Sequence, residues 1–357
     1  MDATSDGSYV RETVDGKRVV RVKKKRKRKK KKNKLKIVGI IVAAVIIVLV
    51  AAGAILIALG SMNLHREAEN IETIDEAVAV NGGQIIEYNG HTYQYNENIS
   101  SICFMGYDRR EGSDEEGQAD AIMVLALDTD TGEAKVISIP RNSYVDVSLY
   151  VDNRYVSTEQ MQICLAFAYG VDNTMSSELV TEAASRTLFN IPIGFYYTIN
   201  MQGIEPLTNS VGGVTVKALE TIPNSDIVEG QDVTLTGSNA LQYIRYRNHD
   251  HFNSPIERQE RQNQYIQALF KKVVSELKGS PTKIIDIYNS MGSYSTTNIG
   301  PAEVSYLATV VATHGISNLS ITSLQGEMEK DGNTQKYILD DTQVFETVLD
   351  VYYTQID

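Results

Sequence analysis

The chain has two cysteines in 357 residues, too few for a disulfide scaffold or a cysteine-rich zinc module. Seven prolines and 25 glycines exclude collagen-like and low-complexity architectures. The five histidines, at 65, 91, 249, 251 and 314, are too scattered to form a ligand cluster. His249-Asp250-His251 falls in a stretch with no apolar period and reads as a solvated loop. No G-x-S-x-G, H-E-x-x-H or P-loop motif is present. Positive charge is scarce over most of the length: after residue 36 there are 18 Lys/Arg against 41 Asp/Glu. A part this acidic is not a general nucleic-acid binder. No internal repeat appears, and no linker demands a second folded domain.

A hydrophobic content of 42% suffices for a buried core. The first 36 residues hold 16 Lys/Arg against four acids, including an unbroken basic run from Lys23 to Lys32. From Ile37 to Leu64 there is no charged residue. About 20 apolar residues span a bilayer core, so this run predicts one transmembrane helix, longer than a cleaved signal peptide's apolar region. Basic residues stay on the cytoplasmic side. The expected organisation is therefore a basic cytoplasmic tail over 1–36, resting on anionic lipid headgroups, and a membrane helix over 37–62. A juxtamembrane stalk and hairpin follow over 63–98, then an extracellular domain over 99–357. The basic run has no aromatic to stack on a base, which argues against nucleic acid as its partner.

Beyond the apolar run, residues 65–80 read as a short helix or stalk. Asn89-Gly90 between alternating β-formers predicts a hairpin of Ile85–Tyr88 and His91–Tyr95. Ile102–Met105, Ala121–Leu127 and Ala134–Ile139 read as strands. Ser157-Thr158-Glu159-Gln160 reads as a capping box opening a helix through Met161, Leu165 and Ala168 to Gly170. A second helix is expected over Ser177–Phe189, and strands over Phe195–Ile199, Val214–Ala218 and Leu241–Tyr246. Ser254-Pro255-Ile256-Glu257 is a helix start, with Ile266, Leu269, Phe270, Val273 and Leu277 facing inward. In the tail, Glu303–Ala312 and Gln343–Tyr352 read as helical and Ile321–Leu324 as extended. The interleaving predicts an α/β fold: an α-β-α sandwich with a mixed central sheet, preceded by one N-terminal transmembrane helix. Cys103 and Cys164, both in apolar stretches, are expected as buried free thiols.

The arginines carry the chemical signal. Arg245 and Arg247 alternate on the expected strand and so share a face. Arg258 and Arg261 share a face near the start of the Ser254 helix, where the dipole adds positive potential. Arg141 ends the strand before it. The planar guanidinium fork suits phosphate oxygens. Pairing with some of the 41 acids is the alternative reading. Asp108 and Asp120 stand at neighbouring strand ends, as turn residues or as a two-carboxylate Mg²⁺ site completed by phosphate oxygens.

These residues lie in ordered motifs. Phe104-Met105-Gly106-Tyr107-Asp108-Arg109-Arg110, Ala119-Asp120-Ala121-Ile122-Met123 and Ile137-Ser138-Ile139-Pro140-Arg141 come first. Ala166-Phe167-Ala168-Tyr169-Gly170, Val211-Gly212-Gly213-Val214, Leu241-Gln242-Tyr243-Ile244-Arg245-Tyr246-Arg247 and Arg258-Gln259-Glu260-Arg261-Gln262 follow. Together they resemble the LytR-CpsA-Psr family, clearly over about residues 100–275. The resemblance implies a phosphotransferase that moves an anionic, teichoic-acid-like or capsular glycopolymer from a polyprenyl-pyrophosphate carrier to peptidoglycan. A pyrophosphate hydrolase of the same lipid-linked glycan, or a non-catalytic regulator that binds it, is the alternative. It further implies that Asp108 and Asp120 hold Mg²⁺ (or Mn²⁺), with Asp108 and Arg141 catalytic. Pyrophosphate falls to Arg141, Arg245, Arg247, Arg258 and Arg261, with weaker contacts from Arg110 and Gln262. Asn142 stands where the family usually has Asp, Val145 where many members have Arg, and Pro255 where many have an acid. Asp250 is the nearest upstream acid outside that helix, and it joins Asp108 and the metal as a candidate general base.

The charge asymmetry sets an expected topology. A cysteine introduced at Ser8 should resist an impermeant thiol reagent on intact, wall-stripped cells, and one at Ser280 should label. The reverse pattern would overturn the assigned orientation.

Overall fold

Six strands form the central sheet of the computed structural model. They are β1 (Ile99–Asp108), β2 (Gln118–Asp128), β3 (Glu133–Ile139), β4 (Phe195–Asn200), β5 (Ser295–Thr297) and β6 (Ser317–Ser323). The structure describes residues 9–14, 17–22, 48, 50–108, 117–248, 254–280, 282–331 and 334–357. The sheet order is β5-β4-β1-β2-β3-β6. β4 runs parallel to β1 and β6 parallel to β3, while β1/β2, β2/β3 and β4/β5 are antiparallel. The sheet is mixed, as expected.

Both faces are covered. The helices are α1 (Asn173–Thr187), α2 (Ile204–Ser210), α3 (Ser238–Arg245), α4 (Ser254–Gly279), α5 (Lys283–Met291), α6 (Pro301–His314) and α7 (Asp341–Tyr352). Cys103, Ile122, Val124 and Ile137 pack with Val180 and Ala184 of α1 and Phe345 and Val348 of α7. The alternate residues Ile102, Phe104, Leu125 and Leu127 face Val304, Leu307 and Val310 of α6. This period-two division explains why β1 and β2 read as nearly continuous apolar runs: a strand buried on both faces has no polar side to show. Cys103 and Cys164 are free and buried.

The chain falls into two units, residues 1–53 and 54–357. The first holds an antiparallel hairpin of Tyr9–Val14 and Lys17–Val22, which the sequence reading did not anticipate. Residues 37–47 and 49 of the expected membrane helix lie outside the described residues, as does the basic run. Among the described residues no helix is long and apolar enough to cross a membrane.

Several readings hold and three are corrected. The Asn89-Gly90 hairpin forms, with both residues at positive φ (52° and 79°), the geometry a two-residue primed turn needs. Residues 65–76 carry no helix, and Ala68 and Ile71 are buried in the core. The Ser157 capping box does not open a helix. Arg154–Gln162 is a strand paired antiparallel with Tyr144–Val151, followed by a 3-10 turn over Ile163–Tyr169. Asp152 and Asn153, both at positive φ, make the hairpin turn, and pairing with a neighbouring strand outweighs a local cap signal. Leu241–Tyr246 is not a strand either. Ala240, Tyr243 and Ile244 are its buried positions, at i, i+3 and i+4, which is the helical period.

Ile137 is fully buried in the central strand β3, whereas Val151 at the hairpin tip is 61% exposed. Ile137→Ala should cost about 2–5 kcal/mol in denaturant unfolding, and Val151→Ala less than about 0.5 kcal/mol.

Candidate active site

The sheet end that carries Asp108 is where the chemical groups collect. Asp108 is the last residue of β1, next to the strand pairing of Tyr107 with Ala119. The register slips between Gly106 and Tyr107, so that Asp120 lies in a β-bulge between Ala119 and Ala121. A bulge re-aims the side chain it inserts. Here the Asp120 carboxylate forms an ion pair with Arg141, which follows β3 across Pro140. Arg141 also donates from Nη2 to Gln118 Oε1 at 2.6 Å and lies 3.4 Å from Cys164 Sγ. Burial pushes the Cys164 thiol up in pKa, while the Arg141 charge pulls it back.

Arg245 arrives by a different route from the one expected. It closes α3, where the helix dipole favours a cation, and donates to Asp108 Oδ1 at 2.6 Å. Arg247 lies two residues on, beyond the helix end. Its Nε is buried without a hydrogen-bond partner, and so is Arg258 Nε in the first turns of α4. Arg258 has Arg141, Arg247 and Arg261 as positive neighbours and Asp108 as an opposing charge. Burial and these like charges pull its guanidinium down to about 10.

Arg261 is 1% exposed and engaged with the protein. It donates to the Tyr243 carbonyl from Nε at 3.1 Å and to the Tyr246 carbonyl, and forms an ion pair with Glu220. Its guanidinium lies 5.5 Å from the Tyr246 ring centre. Arg261 thereby ties the turn that carries Arg245 and Arg247 to α4. Gln262 is buried and donates to the Ile244 carbonyl at 3.3 Å. Arg110 and Asp250 lie outside the described residues. Glu220, Gln118 and Cys164 were missed; no spacing in the sequence links them to the arginines they touch.

Beneath this charged end runs an apolar cavity of about 290 Å³. Gly106, Ala121, Ile244 and Gln262 line it, each one or two residues from Asp108, Asp120, Arg245 or Arg261. Ile266, Leu269, Phe270, Val273 and Leu277 of α4 form a wall. The inward face read for that helix therefore borders a cavity rather than a filled core. The arrangement suits a ligand with a polyanionic head and a long apolar tail.

For a metal, the donor set is two carboxylates from adjacent strands, each now holding a guanidinium. Among the described residues no group of three or more His, Cys, Asp or Glu forms. Two carboxylates fit Mg²⁺, a cation that commonly binds through one or two of them plus substrate phosphate.

Fold and site thus define a three-layer α/β protein with an arginine-rich anion site above an apolar chamber. The chain belongs to the LytR_cpsA_psr family, whose pattern matches residues 61–350. It is 28% identical over 247 residues to the polyisoprenyl-teichoic acid–peptidoglycan teichoic acid transferase TagU of Oceanobacillus iheyensis, a match covering 68% of this chain and 72% of that one. The TagU of Bacillus anthracis is 31% identical over 177 residues, covering 49% of this chain and about half (53%) of the relative. A solved structure of TagT bound to LI-WTA shares the fold at a TM-score of 0.53 and 20% identity, covering 71% of this chain and 90% of that one.

The crowding of cations around Arg258 sets a test. Its depressed proton affinity means that the folded state bears the cost of this charge at every pH below about 10, and the cost fades only as pH rises above that value. Arg258→Met should therefore raise the melting temperature at pH 7. Inorganic pyrophosphate at a hundredfold excess over Kd should stabilise the unsubstituted protein by about 2.7 kcal/mol, and Arg258→Met much less.

Proposed function

We propose that this chain is a membrane-anchored extracellular phosphotransferase. It moves an anionic glycopolymer from a polyprenyl-pyrophosphate carrier to a hydroxyl of peptidoglycan and releases polyprenyl phosphate. Family membership and the transferase names of the TagU relatives support the reaction class. The observation that carries it to this site is the pair of buried, unpartnered Nε donors on Arg247 and Arg258, clustered with Arg141 at the end of an apolar cavity. Buried donors without partners are costly, and an incoming pyrophosphate relieves both the missing hydrogen bonds and the like-charge repulsion.

In this reading Arg141, Arg245, Arg247 and Arg258 grip the pyrophosphate. The acceptor hydroxyl gives its proton to a general base, for which Asp108 and Asp250 are the candidate side chains, its oxygen attacks the glycan-bearing phosphorus, and the bridging P–O bond breaks toward the carrier. Charge builds on the leaving phosphate and on the equatorial oxygens, where the guanidiniums offset it. Asp108 and Arg141 act on the reacting phosphoryl group itself. Asp108 and Asp120 hold Mg²⁺, which supplies further charge neutralisation when bound. The basic tail and the apolar run before residue 64 hold the N-terminus in the cytoplasm and the domain outside.

The decisive assay incubates the purified chain with a lipid-linked glycan and wall fragments and follows polyprenyl phosphate with and without EDTA. Metal-dependent release that needs the wall acceptor is expected. Asp120→Ala should abolish transfer while retaining part of the donor affinity. Arg247→Ala should weaken both, by roughly 1.5–3 kcal/mol for a lost charge-assisted hydrogen bond. Release into water alone would mean a hydrolase, and tight binding without release a non-catalytic relative.

A further inference from the structure

The cavity is long but small for a polyprenyl chain. At about 290 Å³ it lies at the low end of the roughly 300–1,000 Å³ that pockets for drug-sized ligands occupy, and a polyprenyl chain is longer than such a ligand. A longer tail must leave it somewhere. Along β1 and β2 the lining runs from Gly106 and Ala121, next to the charged residues, down to Ile102 and Leu127 at the other end of the strands. With about 3.3 Å per residue, Gly106 and Ile102 are some 13 Å apart.

At that far end the chain enters the domain. The helix over 54–64 terminates against α6: a side chain at Gly60 would strike the Ala302 carbonyl and Tyr306 Cβ. Asn63 Nδ2 donates to Glu303 Oε1 at 2.6 Å, and Glu303 Oε2 accepts from the Gly300 N–H at 2.9 Å. His65 Nε2 lies 2.9 Å from Thr129 Oγ1, just past β2. Leu64 is 1% exposed and packs in one cluster with Leu127, Ile299, Val304 and Leu307, all of which line the cavity. Leu64 itself does not line it, so it stands one layer behind the cavity floor.

We infer that Leu64 plugs a rear exit, through which the distal part of the carrier lipid passes between the helix over 54–64 and α6 into the bilayer. The inference rests on the phosphotransferase reading and on the apolar run as a membrane anchor. That run is expected to end at residue 62, and two residues of helix span about 3 Å. The cavity floor therefore lies beside the membrane surface, the one place an apolar tail remains out of water. A tail turning back to the mouth would instead cross the arginine cluster.

The test uses the full chain in lipid nanodiscs and a long polyprenyl pyrophosphate carrying a photoreactive diazirine on an interior isoprene, the first beyond those the cavity holds. Crosslinks should map to peptides containing Leu64, Leu307 or Ile316; crosslinks confined to residues 244–266 would overturn the exit. As a second measurement, Leu64→Trp should lower the ratio of long-chain to short-chain donor turnover by roughly tenfold. An equal loss for both lengths would count against the exit while leaving the phosphotransferase reading intact. If the unsubstituted chain turns over no donor of either length, that reading fails instead, and the crosslink map still decides the exit.

Discussion

Like-charge crowding at one end of the sheet is the constraint around which the site is organised. Arg141, Arg247 and Arg261 lie within electrostatic reach of Arg258, and Arg245 joins them through Asp108. Repulsion among buried guanidiniums opposes folding. Three acids temper it: Asp120 on Arg141, Asp108 on Arg245, Glu220 on Arg261. Arg247 and Arg258 still carry buried donors with no hydrogen-bond partner. The stability given up here is what makes the site receptive to a polyanion.

Asp120 holds Arg141 and Asp108 holds Arg245, and two carboxylates from adjacent strands are a donor set that also suits Mg²⁺. The β-bulge at Asp120 makes this geometry. Without the inserted residue, the alternation of β2 would send its carboxylate to a different face. A backbone irregularity of one residue thus brings the second acid to Arg141.

Charge and cavity are mechanically linked through α3 and α4. Arg261 pins the Tyr243 and Tyr246 carbonyls, so the turn that presents Arg245 and Arg247 is tied to the helix that walls the cavity. The arginine cluster and the cavity wall thus share one rigid support.

Much of this was legible in order along the chain. Two-sided burial gave β1, β2 and β3 apolar runs that identify themselves, Asn89-Gly90 announced its hairpin, and arginine type and clustering marked the anion site. The Ser157 capping box misled because its competitor, the strand Tyr144–Val151, acts through pairing that local spacing does not encode. The segment before Arg245 and Arg247 reads as a strand but is a helix, since a short apolar run fits strand and helix alike. That Glu220 holds Arg261 was not readable at all: the two are 41 residues apart, and only folding brings them together. Sequence alone determined the residue types, the family and the charge asymmetry, because these are local or ordered along the chain. Tertiary structure decided the partners, the bulge and the open chamber behind α4, because burial and repulsion act through space.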